Sequence, residues 1–414
     1  MKYRFEGDYM RILQLNMTYG NGSTGKILKD LSSALTTNNI KIYSAFGFYD
    51  NPDRNIYKVL RGKSTFYVKY NLGLTYLTGF HGCFHKKDTI KLIKWIDKIG
   101  PDLIHIHNIH GNWIHLETLF DYLKRSGKPI VWTLHDCWPF TGQCAYFEYI
   151  KCFKWIDGCH DCINLNTYPK SFFFDHSKEQ WIKKKEMFNG FDNLIIVTPS
   201  EWLSKYVSRS FLGGYEIEVI HNGIDLEIFK PCENNVRETY GILKNKKILL
   251  GVANSWSSRK GLNQLIKLNE LIDDHYQMII VGLNHRQLKK LPNSIIGIER
   301  TNSRESLVKL YSAADVFVNP TLEDNFPTTN LEAMACGTPV VTFNTGGSPE
   351  ALTPDTGIVV FKKNEFELLK AIKEVLTFSD IENKCRNNAK RFSKEIFTKK
   401  YMNIYTRLYE NNIN

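Results

Sequence analysis

NPTLEDNFPTTNLEAMACGTPVVTFNTGGSPE, residues Asn319 to Glu350, is the stretch that decides the fold, because a loop, a helix, a strand and a glycine-rich turn follow one another in it. The run just before it, 314–318, is short and apolar, as expected of a buried parallel strand that Pro320 ends. Pro327 suits the start of a helix, so we predict a helix over Thr328 to Ala335. Its free amides would face the sheet edge, where a diphosphate or sugar oxygens can bind.

The second half of the stretch predicts a further strand and a turn at the same edge. Glu332 lies just over one turn into the helix, where its carboxylate can accept hydrogen bonds from ribose hydroxyls. Gly337 ends the helix, residues 338–343 form the next predicted strand, and Gly346-Gly347 opens the turn. We therefore expect a nucleotide-sugar pocket here; an ordinary αβ unit with a solvated acidic turn is the alternative.

The stretch resembles the donor site of retaining glycosyltransferases of family 4, which have the GT-B fold. The helix and strand EAMACGTPVV, residues 332–341, and the turn GGSPE, residues 346–350, carry the resemblance. The family usually has Glu eight residues before the helix Glu, whereas this chain has Asp324 there and Glu323 one position earlier. The resemblance implies that this first acid contacts the donor sugar, and both Asp324 and Glu323 are candidates.

The resemblance also implies the fold class: α/β, a GT-B protein with two Rossmann-like domains whose parallel sheets face each other across a cleft. We expect an N-terminal acceptor domain over 1–231, with a C-terminal helix 393–414 packing back on it, and a donor domain over 241–392. Residues 219–231 resemble the family segment that closes the first domain. A length of 414 residues and 43% hydrophobic residues agree with two globular domains.

Composition points to an anionic partner. The net charge is +11, and no nucleic-acid-binding motif is present, so we favour an anionic membrane surface that carries a lipid-linked glycan acceptor over nucleic acid. The first nine residues, MKYRFEGDY, contain no apolar signal core, and no stretch has the ~20 apolar residues of a spanning helix. These features predict a cytoplasmic protein, attached peripherally to the inner face of the plasma membrane through the basic and aromatic stretch 66–99.

A glycine-rich turn after the first predicted strand is a candidate site element. Gly20, Gly25 and Lys26 have the spacing of a P-loop, but Ile27 replaces the hydroxyl residue that binds magnesium, so a P-loop NTPase is disfavoured. In the family, Gly22-Ser23 aligns with glycines that approach the donor phosphates; a simple tight turn is the alternative.

Three histidines mark the next strand ends. His105 and His107 fall on one face of a predicted strand, and we expect them to line its polar end rather than to bind metal. His135 ends the following strand, and it matches a family histidine that faces the donor sugar. A histidine hydrogen-bonded in a structural turn is the alternative.

Cations follow the first strand of the second half. Arg259 and Lys260 precede Gly261 just before a helix, where they can neutralise a diphosphate leaving group. Lys260-Gly261 matches the family pattern, and Arg259 would substitute for an Arg that the family places elsewhere. The chain contains no Asp-x-Asp pair, so we expect catalysis without a metal or another cofactor.

The candidate residues fall into two groups. We assign catalysis to His135, Lys260 and Asp324. The donor-binding assignments are Gly22, Ser23, Arg259, Lys260, Glu323, Asn325, Phe326 and Glu332.

Four cysteines lie close together in the first half: Cys144, Cys152, Cys159 and Cys162. One Cys-x-x-Cys pair with two further cysteines is the composition of a structural zinc site, and buried thiols in an aromatic-rich insertion are an equal alternative. The motif HDCWPFTG, residues 135–142, followed by clustered cysteines resembles a polysaccharide-assembly subgroup of the family, which includes O-antigen and colanic-acid-type enzymes.

Together these features predict a retaining glycosyltransferase that moves a sugar from a UDP- or GDP-sugar to a lipid-linked glycan in bacterial surface polysaccharide assembly. A nucleotide-sugar epimerase or hydrolase of the same fold is one alternative. A non-catalytic scaffold of a polysaccharide-assembly complex is the other.

Overall fold

The computed structural model describes residues 9–36, 40–48, 55–60 and 63–413. The amino-terminal residues on which the signal-peptide prediction depends, 1–8, lie outside the described ranges. The chain divides into two compact units, Met1–Ile220 with Thr398–Asn414, and His221–Phe397. Each unit is built around its own parallel sheet.

The first unit has a sheet that, over the described residues, contains seven parallel strands in the order β3-β2-β1-β4-β5-β6-β7. The strands are β1 (Met10–Thr18), β2 (Ile40–Phe48), β3 (Ile56–Lys58), β4 (Leu103–Ile106), β5 (Ile130–Thr133), β6 (Leu194–Thr198) and β7 (Glu216–Val219). The helices are α1 (Gly22–Leu35), α2 (Thr65–Thr78), α3 (Lys86–Ile99), α4 (Leu116–Ser126), α5 (Ser177–Phe188) and α6 (Glu201–Val207). The central strands are buried along their whole length, which explains their unbroken apolar runs.

The second unit has a sheet that, in the described part of the chain, contains six parallel strands in the order β10-β9-β8-β11-β12-β13. The strands are β8 (Lys247–Val252), β9 (Tyr276–Val281), β10 (Ile295–Ile298), β11 (Val316–Asn319), β12 (Val340–Phe343) and β13 (Gly357–Val360). The helices are α7 (Val236–Thr239), α8 (Leu262–Leu271), α9 (His285–Lys289), α10 (Arg304–Ala313), α11 (Thr328–Ala335), α12 (Glu365–Val375) and α13 (Ile381–Ala389). A last helix, α14 (Lys394–Ile413), begins in the second unit and ends in the first.

Strand order places the loops that carry the candidate residues. In the second sheet the order reverses between β8 and β11, and in the first between β1 and β4. Ligands of open α/β sheets bind outside the carboxyl ends of the strands at such a reversal. The loops after β8 and β11 hold Lys260 and Asp324, and the loop after β1 leads to Gly22.

The border between the units differs from the expected one. The first unit ends at Ile220, whereas the sequence placed the end of the first domain at Pro231. The intervening residues pack on the second unit: Ile224 and Phe229 join its core, and the Asn222 amide donates a hydrogen bond of 3.0 Å to the Phe326 carbonyl. This segment therefore belongs to the second unit rather than closing the first.

The carboxyl-terminal residues from Thr398 onward form part of the first unit. The Tyr401 hydroxyl lies 2.9 Å from Thr133 Oγ1 at the end of β5, and both tyrosines that face the sheet, Tyr401 and Tyr405, are buried. Within the described ranges, no helix combines the length and apolar character needed to cross a bilayer.

Candidate active site

The loops that follow β8 and β11 lie directly against each other in the second unit. A Cβ on Gly261 would come 2.1 Å from the Pro320 carbonyl oxygen, so only glycine permits this approach, and its φ of +82° also favours glycine. The Leu322 N–H donates to the Arg259 carbonyl at 2.7 Å, and Arg259 Nη1 donates to the Glu323 carbonyl at 2.9 Å. These contacts bring the predicted cations and the predicted acidic loop together.

Lys260 and Asp324 form an ion pair at the centre of this arrangement. Lys260 Nζ donates to Asp324 Oδ2 at 2.5 Å, and the side chains are only 24% and 14% exposed. Burial alone would raise the pKa of Asp324, but the charges of Lys260 and Arg259 outweigh it and hold that pKa below its usual value. Asp324, rather than Glu323, is therefore the acid that contacts the predicted catalytic cation.

The glycine-rich turn after β12 packs on the same acidic loop. A Cβ on Gly346 would lie 1.7 Å from the Asp324 carbonyl oxygen, and the Gly347 N–H donates to the Asn325 carbonyl at 2.7 Å. Asn325 is buried beneath the turn. The Phe326 ring is also buried, and its centroid lies 4.7 Å from that of the His221 ring. Phe326 therefore supports the loop by packing.

Glu332 lies on α11 and is held by a residue that sequence reasoning did not single out. The Tyr311 hydroxyl on α10 donates to Glu332 Oε2 at 2.9 Å. Burial and the Glu332 charge raise the pKa of Tyr311, so its hydroxyl keeps the proton that it donates. Glu332 is half-buried, and this hydrogen bond fixes the orientation of its carboxylate. The separation of 21 residues gives no local pattern by which a sequence could reveal this contact.

This arrangement suits an anionic ligand that also carries hydroxyls. Lys260 and Arg259 supply positive charge at the carboxyl ends of β8 and β11, and Glu332 supplies an acceptor for hydroxyls. A phosphate that binds Lys260 competes with Asp324 for the ammonium group. Before an anion binds, the positive charge of Lys260 is therefore neutralised by Asp324.

The first unit presents a glycine turn at its own sheet reversal. Helix α1 begins at Gly22, and Ser23 next to it is exposed. Gly20 and Gly22 both have φ of +69°, and the Gly20 N–H donates to the Gly25 carbonyl at 2.9 Å. The turn thus directs the amides of a 14-residue helix toward the end of β1.

Three histidines form a buried hydrogen-bonded group at the ends of β4 and β5. His135 Nε2 lies 3.0 Å from His107 Nδ1, while His105 lies 2.8 Å from Thr133 Oγ1 and 2.7 Å from the Tyr405 hydroxyl. Burial lowers the pKa of His105 and of His107 well below the usual value, and it lowers the pKa of His135 to about 4. His135 is therefore neutral at pH 7, as a hydrogen-bonding partner for a sugar hydroxyl should be.

A second polar chain lies beside this group and was missed in the sequence. Asp136 accepts a hydrogen bond of 2.9 Å from His110 Nε2, and His110 Nδ1 lies 2.9 Å from the Tyr168 hydroxyl. Burial would raise the pKa of Asp136, but His110 lowers it, so the carboxylate is ionised and fixes the proton on Nε2. His110 Nδ1 and the Tyr168 hydroxyl share a hydrogen bond, and the hydroxyl oxygen can also accept from a ligand hydroxyl.

Two family profiles match consecutive parts of the chain. The profile described as Glycosyltransferase Family 4 matches residues 25–228, and the profile described as Glycosyl transferases group 1 matches residues 233–392. The chain belongs to glycosyltransferase family 4. The family assignment that the sequence predicted from residues 319–350 is confirmed.

Relatives of this glycosyltransferase cover nearly its whole length. The Escherichia coli K12 glycosyl transferase WcaC, which is assigned to colanic acid biosynthesis, is 23% identical over 420 residues, 96% of this chain and 100% of WcaC. Sucrose-phosphate synthase from Thermosynechococcus elongatus matches with a TM-score of 0.73 at 17% identity, over 97% of this chain and 100% of that one. Anabaena HepE, solved with UDP-glucose, matches with a TM-score of 0.61 at 16% identity, over 96% of this chain and 100% of that one. These likenesses confirm the predicted GT-B fold.

The four predicted metal-ligand cysteines of this glycosyltransferase come together in the first unit. Cys144, Cys152, Cys159 and Cys162 line one cavity. As the side chains stand, no group of three or more His, Cys, Asp or Glu within the described residues has the spacing to hold a metal ion.

Proposed function

We propose that this glycosyltransferase transfers a sugar from a nucleoside-diphosphate sugar with retention of anomeric configuration and without a metal. The observation that carries the proposal is the packing of the Lys260, Asp324 and Glu332 loops at the carboxyl edge of the second sheet. These groups match a donor that contains a diphosphate, a ribose and a sugar. HepE, which shares the fold, was solved with UDP-glucose, which supports this class of donor.

Departure of the diphosphate is the step in which Lys260 acts. As the bond between the anomeric carbon and the phosphate oxygen breaks, negative charge grows on that oxygen, and Lys260 with Arg259 stabilises it. Lys260 Nζ is held by Asp324 before reaction, so its position is set in advance. Asp324 then accepts hydrogen bonds from hydroxyls of the donor sugar, on the side opposite the diphosphate.

The acceptor attacks from the face that the diphosphate leaves. Its hydroxyl oxygen forms the new bond to the anomeric carbon, and its proton passes to the leaving phosphate oxygen, so no separate base is required. His135, which is neutral at pH 7, has a ring that can hydrogen-bond to a sugar hydroxyl. Transfer to the same face keeps the anomeric configuration of the donor.

The acceptor that we propose is a lipid-linked glycan in surface polysaccharide assembly; the name of WcaC, a colanic acid biosynthesis glycosyl transferase, supports the polysaccharide part of this proposal. Helix α3 exposes Lys86, Lys87, Lys91 and Lys94 to solvent. Helix α2 next to it in sequence exposes Phe66 and Tyr70, with 78% and 57% of each residue accessible. Exposed lysines and aromatic rings together favour attachment to an anionic membrane surface from the cytoplasmic side.

Product analysis tests the proposal. UDP- and GDP-sugars are screened by thermal shift, since a tight ligand raises the melting temperature by mass action. The stabilising donor is then incubated with lipid-linked glycans extracted from bacterial membranes, and the product is examined by NMR. We expect nucleoside diphosphate and a glycan with the donor's anomeric configuration. An inverted linkage would contradict retention; free sugar alone would show a hydrolase, an altered donor sugar an epimerase, and binding without turnover a scaffold.

A further inference from the structure

The segment between the short 3₁₀ helix Trp138–Phe140 and α5 is unusual for its length. Residues 141–176 contain no helix or strand, although they follow the His135–Asp136 turn and carry Tyr168. Irregular segments longer than about 12–15 residues are uncommon in compact domains unless something fixes them. Burial of Phe147 and Trp155 anchors one side of the segment. The four clustered cysteines lie beside these two rings.

All four thiols open into one small cavity. Cys144, Cys152, Cys159 and Cys162 line a space of about 20 Å³, together with apolar neighbours such as Trp155. A space of ~10–15 Å³ already accommodates one water molecule, so this one accommodates a single ion. Besides the four cysteines, its lining includes apolar side chains and polar residues such as Gln143 and His160, and a site with four sulfur ligands suits a soft thiophilic metal.

Backbone amides point at two of the sulfur atoms. The Gly142 N–H donates to Cys159 Sγ at 3.1 Å, and the Asn164 N–H donates to the Cys162 sulfur. A Cβ on Gly142 would come 2.2 Å from the Ser177 carbonyl oxygen, so glycine is required for this approach. Amide donors of this kind stabilise a thiolate and orient it, which is what the surroundings of a metal ligand do.

A buried lysine is bonded to the backbone at the start of the same segment. Lys184 on α5 is 1% exposed, and its Nζ donates to the Trp138 and Thr141 carbonyls at 2.8 and 3.0 Å. In the part of the chain that the structure describes, no carboxylate lies within ion-pair distance of Nζ. Burial lowers the pKa of Lys184 to about 7. Its two hydrogen bonds fix α5 to the start of the segment that carries the cysteines.

We propose that Cys144, Cys152, Cys159 and Cys162 bind one structural Zn²⁺. Each thiol releases its proton on binding, and the four sulfur atoms draw in to about 2.3 Å from the metal. In the structure the four cysteine side chains are too far apart to hold a metal ion, so they must move inward for Zn²⁺ to bind. The metal fixes the segment that holds Tyr168 against His110.

Metal analysis of the full chain tests the proposal independently of its enzymatic activity. We expect about one zinc per chain in protein purified without chelator, and none after Cys159→Ser or Cys162→Ser. Cys83→Ser is the matched control, because Cys83 is a half-buried thiol of the same unit outside the cavity, and it should keep the metal. Zinc retained in full by both cluster variants would overturn the assignment.

Cobalt substitution keeps the proposal testable if the serine variants do not fold. Wild-type protein stripped of metal and loaded with Co²⁺ should show the intense thiolate-to-cobalt absorption of four sulfur ligands, and zinc should displace it. A folded wild-type protein that lacks zinc, shows no such absorption and leaves all four thiols open to a thiol reagent would overturn the proposal.

Discussion

The carboxyl edge of the second sheet holds a partly exposed ion pair, whereas that of the first sheet holds a group of three buried histidines joined by hydrogen bonds and ring contacts. Lys260 and Asp324 face each other as ions, while His107 and His135 share a hydrogen bond with both rings buried. A charged edge suits the diphosphate of a donor, and a neutral edge suits sugar hydroxyls. On the function that we propose, the same architecture would serve two kinds of ligand through the residues placed after its strands.

Acid should destabilise the first unit at a higher pH than the second, and this is the largest effect that we expect. The pKa of His135 falls to about 4 on folding, and those of His105 and His107 also fall, so the unfolded chain binds protons that the folded chain excludes. Stability of the first unit is then fully present above the unfolded pKa of about 6.5 and is lost as the pH falls toward 4, by roughly 1.4 kcal/mol per pH unit for each histidine.

The second unit should respond only at lower pH. Asp324 has a lowered pKa, so the stability that it contributes is lost only as the pH falls through the acidic range below about 4. Calorimetry and hydrogen exchange at pH 7.5 and 5 measure both units in one sample. Equal loss of protection in the two sheets between these pH values would contradict the contrast.

Surface charge gives the second comparison. Changing Lys86, Lys87, Lys91 and Lys94 to Gln should weaken binding to anionic vesicles by up to about 4 kcal/mol, because each basic residue near the surface contributes ~1 kcal/mol. The matched control changes four exposed lysines of the second unit: Lys362, Lys363, Lys370 and Lys373. Sedimentation at low and high salt measures the binding. Equal losses in both variants, or binding indifferent to salt and lipid charge, would leave a soluble acceptor as the better proposal.

Removing the central cation of the charged edge should affect turnover. Lys260→Ala is expected to lower kcat by about 10²–10³, since one charge-stabilising donor in an active site contributes this much. Donor affinity should fall less, because the charge matters most as the diphosphate leaves. Lys267→Ala, an exposed lysine on α8, is the control. Equal losses in kcat and in donor affinity would indicate ground-state binding alone.

Ribose recognition should show a smaller effect. Glu332→Gln removes charge-assisted hydrogen bonds worth about 1.5–3 kcal/mol, which corresponds to a ten- to hundredfold weaker donor Kd. Tyr311→Phe should also weaken donor binding, but by less, because Tyr311 only orients the carboxylate. Calorimetric titration of both variants measures this. Unchanged donor affinity in Glu332→Gln would refute the ribose assignment.

The two edges also differ in how far the sequence could predict them. The charged edge follows from a contiguous stretch: the helix Thr328 to Ala335 was predicted at its observed bounds, and Lys260-Gly261 lies directly before α8. The neutral edge depends on contacts between distant residues, since Tyr405 lies 300 positions from His105. No periodicity or spacing records such a contact. The segment 221–231 was assigned to the first domain because its packing partners, such as Phe326, lie a hundred residues away.

Hydrogen exchange with and without nucleotide tests the central claim that the charged edge of the second unit binds the donor diphosphate. The stabilising nucleotide from the thermal-shift screen should protect the amides around 258–262, 323–332 and 346–350, and Lys260→Ala should weaken that protection. Protection confined to the first unit, or protection of the second unit that Lys260→Ala leaves unchanged, would contradict the account.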